Sequence, residues 1–147
     1  MVKKAILILA GFILLSSQAI FASDDLAGLD FYNGIDKEEI TTDSGLKYKV
    51  LIMGKGRKPV GKKKVKVHYR GLLVNGWEFD SSYRNDEPLE LGMKRIIEGW
   101  REGVQLMPVG SVFIFLIPPE LAYGEKGKSP IPPDTTVIFE IELFGYR

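Results

Sequence analysis

An α+β domain, a mostly antiparallel sheet wrapped around one short helix, is the fold class that three observations in this sequence predict. Apolar and polar residues alternate with a period of two through most of the chain from Leu46 onward. A single stretch, Lys94 to about Met107, instead repeats its apolar residues at spacings of three and four. An Asn75-Gly76 pair and a Pro118-Pro119 pair stand where hairpins turn and strands stop.

The elements follow in chain order. Lys3 and Lys4 precede an apolar run from Ala5 to Leu15 and then the small and polar residues Ser16, Ser17, Gln18 and Ala19, the three-part layout of a secretory signal. Residues 1–22 are therefore expected to be a signal peptide cut after Ala19 or Ala22. The apolar run is too short to span a bilayer comfortably, and an uncleaved anchor from Ala5 to Ala22 is the lesser alternative. Residues 23–40, with Asp24, Asp25, Asp36, Glu38 and Glu39 and little apolar periodicity, read as a spacer. The domain is then residues 41–147, expected to fold alone. Val65, Val67 and Tyr69 alternate with Lys64, Lys66, His68 and Arg70, a strand with one face on a core. Asn75-Gly76 between Leu72-Leu73-Val74 and Trp77-Glu78-Phe79 predicts a type I′ hairpin. In the helical stretch Ile96, Ile97, Trp100, Val104 and Met107 share a face, although Gly99 and Gly103 lower its propensity. Val112 to Ile117 is an unbroken apolar run, fitting a central strand buried on both faces and ended by Pro118-Pro119. Val137, Phe139, Ile141 and Leu143 alternate with Thr136, Ile138, Glu140 and Glu142 in the last strand.

Composition removes several functions. A chain of 147 residues with net charge +1 has room for one ordinary core and shows no charge balance that suggests nucleic acid. Loss of Lys3 and Lys4 would take the charge to about −1. Its one basic concentration, Lys55, Arg57, Lys58, Lys62, Lys63, Lys64 and Lys66, has no aromatic residue interleaved and reads as a solvated loop and strand face, with an acidic partner or an anionic membrane as the alternative. With one histidine and no cysteine, neither a Ser-His-Asp or Cys-His nucleophile nor an ordinary zinc site is expected, and no disulfide or lipoprotein anchor is available. His68 reads as a structural neighbour of the sheet. Gly54-Lys55-Gly56 lacks the third glycine and the helix of a dinucleotide site. No metal and no cofactor are expected.

What the chain has in quantity is aromatic residues on separate elements: Tyr69, Phe79, Trp100, Tyr123 and Phe139. Trp100 shares its face with other apolar residues and reads equally as core, whereas Tyr123, in a Gly- and Pro-bounded loop, has a hydroxyl to place. Phe79-Asp80-Ser81-Ser82, Ile96-Ile97-Glu98-Gly99-Trp100, Ala122-Tyr123-Gly124 and Ile131-Pro132-Pro133, flanked by Val67-His68-Tyr69-Arg70-Gly71, Met107-Pro108-Val109-Gly110 and Thr136–Leu143, together resemble the pocket motifs of the FKBP family of peptidyl-prolyl isomerases. The resemblance covers roughly residues 41–147. It implies an FKBP-like half-barrel with its pocket between helix and sheet, and rotation about X-Pro bonds in exported polypeptides without covalent or metal catalysis. It implies roles as well: Trp100 as the floor beneath a proline ring, Tyr69, Phe79, Ile96, Ile97 and Phe139 as walls, the Ile97 N–H and the Tyr123 hydroxyl as donors to substrate carbonyls, and Asp80 as the residue that sets local polarity. Leu89 and Ile131 complete the expected substrate-binding set, Leu89 where many members have an aromatic wall.

Three departures bear on that reading. Asn85 occupies the place of the family's arginine and Arg84 comes one residue early, so the contact of an arginine with Asp80 is in question. The loop from Pro88 to Gly92 is two residues shorter than in small cytosolic members, and the loop before Ile131, with Lys128 in place of the more usual residues, is one residue short. Activity with altered peptide preference and weakened affinity for tacrolimus- or rapamycin-type macrolides is the expectation. Proline-containing peptides and unfolded proteins are the expected partners of a monomer in a periplasmic or other extracytoplasmic location. The alternative is a non-catalytic binding or chaperone module using the same cleft.

Overall fold

The computed structural model describes residues 26–147. The expected signal peptide and both cleavage positions lie outside them. The elements are α1 (Ala27–Gly34), β1 (Glu39–Thr41), β2 (Lys47–Ile52), β3 (Lys64–Leu73), β4 (Glu78–Ser81), β5 (Leu89–Gly92), α2 (Glu98–Val104), β6 (Val112–Ile117) and β7 (Val137–Tyr146), with short 3₁₀ turns between them. The strands form one antiparallel sheet ordered β1-β2-β6-β7-β3-β4, and β5 pairs with β3 alongside β4. This is the predicted FKBP-like α+β arrangement.

The alternation of β6 explains its unbroken apolar run. Phe113, Phe115 and Ile117 enter one core with Trp100, Val104 and Met107 of the helical region and with Val137, Phe139, Ile141 and Leu143 of β7. Ile114 enters a second, smaller core on the other face, with Leu72, Ile138 and Tyr32. That second core depends on α1. The stretch expected to be a spacer supplies a helix whose Tyr32 is fully buried, because the outer sheet face is itself apolar and needs a cover. Gly28 lies so close to the carbonyl of Leu73 that a side chain there would collide, and its N–H bonds Val74 O at 2.7 Å. At the other end of α1, the Lys49 ammonium on β2 donates to Tyr32 O and Ile35 O, both at 3.0 Å, where the helix dipole favours a cation. Two residues in α1, Phe31 and Tyr32, therefore mattered more than the polar remainder of the segment suggested.

Two further elements differ in detail from their sequence reading. The turn after β3 is closed by Gly76 N to Leu73 O at 2.9 Å and Leu73 N to Trp77 O at 2.9 Å, and of its residues Gly76 alone has positive φ, 87°. It is not the expected type I′ turn, which needs positive φ at Asn75 as well; the register shift between Gly71 and Leu72 absorbs the extra loop residue. The α-helix begins at Glu98, not Lys94: Ile96 and Ile97 are extended, with ψ of 158° and 155°. Gly99 and Gly103 are helix-weakening residues required by packing. A Cβ on Gly99 would sit 2.5 Å from Ile117 Cγ2, and one on Gly103 would sit 2.6 Å from the Phe115 ring. The helix thus lies directly on β6.

One core carboxyl makes folding pH-dependent. Burial pushes Glu140 on β7 up to about 7, with Glu142 adding to the shift and Arg70 opposing it. A carboxyl raised in the folded state contributes stability below its ordinary pKa, and that contribution is lost as pH rises from about 4.5 through 7. Glu140→Gln is therefore expected to gain up to about 3 kcal/mol relative to the parent between pH 5 and pH 8. Urea denaturation of both proteins at the two pH values measures it; a constant difference would show that Glu140 does not titrate in this range.

Candidate functional site

The cleft lies where α2 faces the concave side of the sheet. It is a cavity of about 160 Å³ lined by Tyr69, Asp80, Ile96, Ile97, Trp100, Tyr123 and Phe139, together with Leu91, Arg95 and Lys128. Its size suits one small ring, since sites for drug-sized ligands run to about 300–1,000 Å³.

Each wall follows from its element. Trp100 is 4% exposed, and its indole meets the rings of Tyr69 and Phe139 edge-on at 5.1 and 5.2 Å. Such edge-to-face pairs fix ring orientation beyond what area burial does. Phe79 does not itself line the cavity; it stands behind the wall, edge-on to Phe139 at 5.4 Å and to Tyr123 at 6.4 Å. Gly71 on β3 makes room for this pair: a Cβ there would lie 2.7 Å from Phe139 Cε1 and 2.8 Å from Phe79 Cζ. The late start of α2 has a chemical consequence. Ile97 is extended, its N–H makes no backbone hydrogen bond among the described residues, and the residue lines the cleft.

The polar side of the cleft is set by Asp80 at the end of β4. The Tyr69 hydroxyl donates to Asp80 Oδ2 at 2.8 Å. Burial, then the bond to Asp80, pushes the Tyr69 phenol well above its ordinary range, and burial followed by the charge of Asp80 raises Tyr123. Both phenols therefore remain donors at any physiological pH. Tyr123 lies after the 3₁₀ turn Pro119–Leu121, and its hydroxyl has no hydrogen-bond partner among the described residues. Arg84 turns away from Asp80, its Nε 3.1 Å from Glu78 Oε1 and its terminal nitrogen 2.9 Å from Glu78 O.

Of the residues singled out by sequence, Asp80, Tyr123, Trp100, Tyr69, Ile96, Ile97 and Phe139 come together around the cavity. Leu89 does not: it is 38% exposed, and Leu91, two residues on and hence on the same strand face, is the lining residue instead. Ile131 is 5% exposed and packs in the core behind the cleft. Arg95 and Lys128 were not among the expected site residues; nothing in a charged residue at a loop marks it as a wall. His68 is outside the cleft, its Nδ1 2.7 Å from Ser82 Oγ and its ring stacked on Tyr83. Burial lowers its pKa, against the opposing charge of Asp86. Among the described residues no group of His, Cys, Asp and Glu is placed to hold a metal ion.

Comparison with known proteins identifies the family. A family described as FKBP-type peptidyl-prolyl cis-trans isomerase matches residues 55–144. The chain is 50% identical over 105 residues to the FKBP-type peptidyl-prolyl cis-trans isomerase FkpA of Aeromonas hydrophila, covering 71% of this chain and 39% of that protein. It is 47% identical over 104 residues to an FKBP-type 22 kDa peptidyl-prolyl cis-trans isomerase of Escherichia coli, covering 70% of this chain and 50% of that protein. It thus spans half or less of these relatives' lengths. The crystal structure of FkpA from Escherichia coli superposes with a TM-score of 0.73 at 34% identity, over 99% of this chain and 71% of that one. AtFKBP13 superposes with a TM-score of 0.70 at 35% identity, over 75% of this chain and 99% of that one. With a family match over residues 55–144, the chain belongs to the family of FKBP-type peptidyl-prolyl cis-trans isomerases.

Proposed function

We propose that this domain catalyses cis–trans rotation about X-Pro bonds of exported polypeptides, with Trp100 beneath the proline ring. The observation that carries the reading is an apolar aromatic cavity sized for one ring, with two unengaged donors, Ile97 N–H and Tyr123 hydroxyl, and one carboxylate, Asp80, at its edge. Rotation requires loss of amide resonance, a barrier of about 18–20 kcal/mol, and no bond to carbon is made or broken. The twisted amide has a more pyramidal nitrogen and a less polar carbonyl than the planar one. A cavity that replaces water with ring faces favours the twisted form, and each 1.4 kcal/mol of such preference is about tenfold in rate. The donors hold the flanking carbonyls while the bond turns.

A rate flat between about pH 6 and 8 is expected, since neither phenol titrates there and His68 lies outside the cleft. A single titration near 6.5 that disappears in His68→Gln would contradict it. Tyr123→Phe removes one hydrogen bond and is expected to cost roughly 0.5–1.5 kcal/mol, about 2- to 13-fold in kcat/KM. Protease-free exchange measurements on X-Pro peptides read both effects.

Tacrolimus and rapamycin would compete with peptide, weakly, because the cavity is small and Leu89 supplies no wall. Trp100 fluorescence reports that binding over the background of Trp77, which is 51% exposed. Delivery to an extracytoplasmic compartment rests on the leader pattern of residues 1–22; no described helix is long and apolar enough to cross a membrane. A second reading, non-catalytic capture of proline-containing segments, is favoured by one observation, the pairing of Arg84 with Glu78 in place of Asp80. Binding without exchange distinguishes it.

A further inference from the structure

The geometry points to a basic groove, continuous with the cleft, that selects substrates carrying acidic residues beside the proline; this deepens the isomerase reading and rests on it. The groove has a volume of about 550 Å³, more than three times the 160 Å³ of the cleft, and runs between the start of β3, the turn after β5 and the flank of α2. Arg95 lines both cavities, so a chain leaving the cleft past Arg95 enters the groove directly. At about 3.3–3.6 Å per extended residue, it does so within a few positions of the proline.

Six cations line the groove, Lys62, Lys63, Lys64, Lys94, Arg95 and Arg101, and no lining residue is acidic. Two of the six are engaged. Lys64 pairs with Glu90 at 3.1 Å, and Arg101 pairs with Glu98 and donates to Met93 O at 2.9 Å. Glu90 is further held by Arg147 at 2.7 Å, and the Arg147 main-chain oxygen accepts from the N–H groups of Lys63 and Lys64 at 3.0 and 2.9 Å. Lys62 lies over the Tyr146 ring at 5.2 Å, and no described carboxylate pairs with Lys62, Lys63, Lys94 or Arg95. The four cations without a described carboxylate partner repel one another, so the folded domain holds a field that an acidic segment relieves. The groove walls also offer the apolar stems of these long side chains, which an extended peptide covers better than a diffuse ion does. Part of this basic concentration reads from sequence as a solvated face; the fold gives it a concave partner, Lys94-Arg95, that sequence places some 30 residues away.

Two or three ion pairs at a partly screened surface amount to about tenfold in affinity. The test uses labelled peptides with a central Leu-Pro and either four glutamates or four glutamines within five residues of the proline, on each side in turn. Fluorescence anisotropy gives affinity, and exchange spectroscopy gives turnover of the same peptides. The glutamate peptide, on one of the two sides, is expected to bind about tenfold tighter at low salt. That gap should close at 0.5 M salt, where the Debye length is only a few ångströms. It should also close in Lys63→Glu/Lys94→Glu, which alters exposed residues outside the cleft and leaves turnover of the glutamine peptide at the parent value. Equal affinities on both sides, or a gap that persists in the double variant, would overturn the groove. Equal peptide affinities combined with sedimentation on phosphatidylglycerol vesicles that the double variant loses would assign the cations to a membrane surface instead. An affinity gap without exchange of any peptide would retain the groove and remove the isomerase reading, whereas exchange without a gap does the reverse.

Discussion

Tyr32→Ala is expected to lower the unfolding free energy by about 3–5 kcal/mol, the range for deleting a fully buried aromatic side chain. Tyr32 is 0% exposed and closes the smaller core over Leu72, Ile114 and Ile138, each on a strand that also contributes to the main core or carries cleft residues. Chemical denaturation monitored by circular dichroism measures the loss. A chain from Thr41 to Arg147 contains every cleft residue and is expected to keep exchange activity, but at a lower melting temperature, because it uncovers the same three side chains. Unchanged stability in both proteins would mean that α1 contributes no cover in solution.

Trp100→Ala is expected to have the second large effect, on stability and activity together. The indole is 4% exposed and touches two cleft rings, so its removal costs about 3–5 kcal/mol of folding energy and opens a void beneath the proline position. A proline ring contributes three methylenes at about 0.8 kcal/mol each when buried, and losing roughly half of that contact corresponds to about tenfold in kcat/KM. Trp100→Leu keeps much of the bulk and separates the two effects: the fold should survive with only the rate lowered. A Trp100→Leu protein at parental rate, which also retained full fluorescence quenching by a macrolide, would show that the indole is not the floor.

The strands were legible in the sequence because their faces differ in polarity, and β6 was legible as central because both its faces are apolar. The second core was not. Its cover comes from α1, whose burial rests on Phe31, Tyr32 and a close approach at Gly28, too few residues for a periodic pattern. The start of α2 was misplaced for the opposite reason. Ile96 and Ile97 continue the spacing of three and four from Trp100, but they are apolar as cleft walls, on extended backbone, rather than as a helix face. Seven of the ten proposed site residues converge on one cavity; Tyr69, Trp100, Tyr123 and Phe139 stand out as aromatic residues on separate elements, whereas Asp80, Ile96 and Ile97 were legible only through the ordered family motifs that contain them. Arg95 and Lys128 leave none, as an exposed charged residue in a turn or helix start has the same appearance whether it faces a cleft or water. The position of Leu91 follows from two-residue periodicity along β5, once Leu89 is seen to be 38% exposed.

The central claim is that an aromatic cavity with a few fixed polar groups, and no nucleophile or general base, turns the X-Pro bond. Protease-free exchange spectroscopy on an X-Pro peptide tests it with two variants, Asp80→Leu and Tyr123→Phe, alongside direct measurement of peptide affinity. Asp80→Leu removes the acceptor of the Tyr69 hydroxyl and changes polarity at the twisting amide while keeping similar bulk. Both variants should exchange the peptide more slowly than the parent, Asp80→Leu the more so, with smaller changes in affinity than in rate. Exchange at the parental rate in both, with peptide affinity unchanged, would contradict the account and place catalysis outside this cleft.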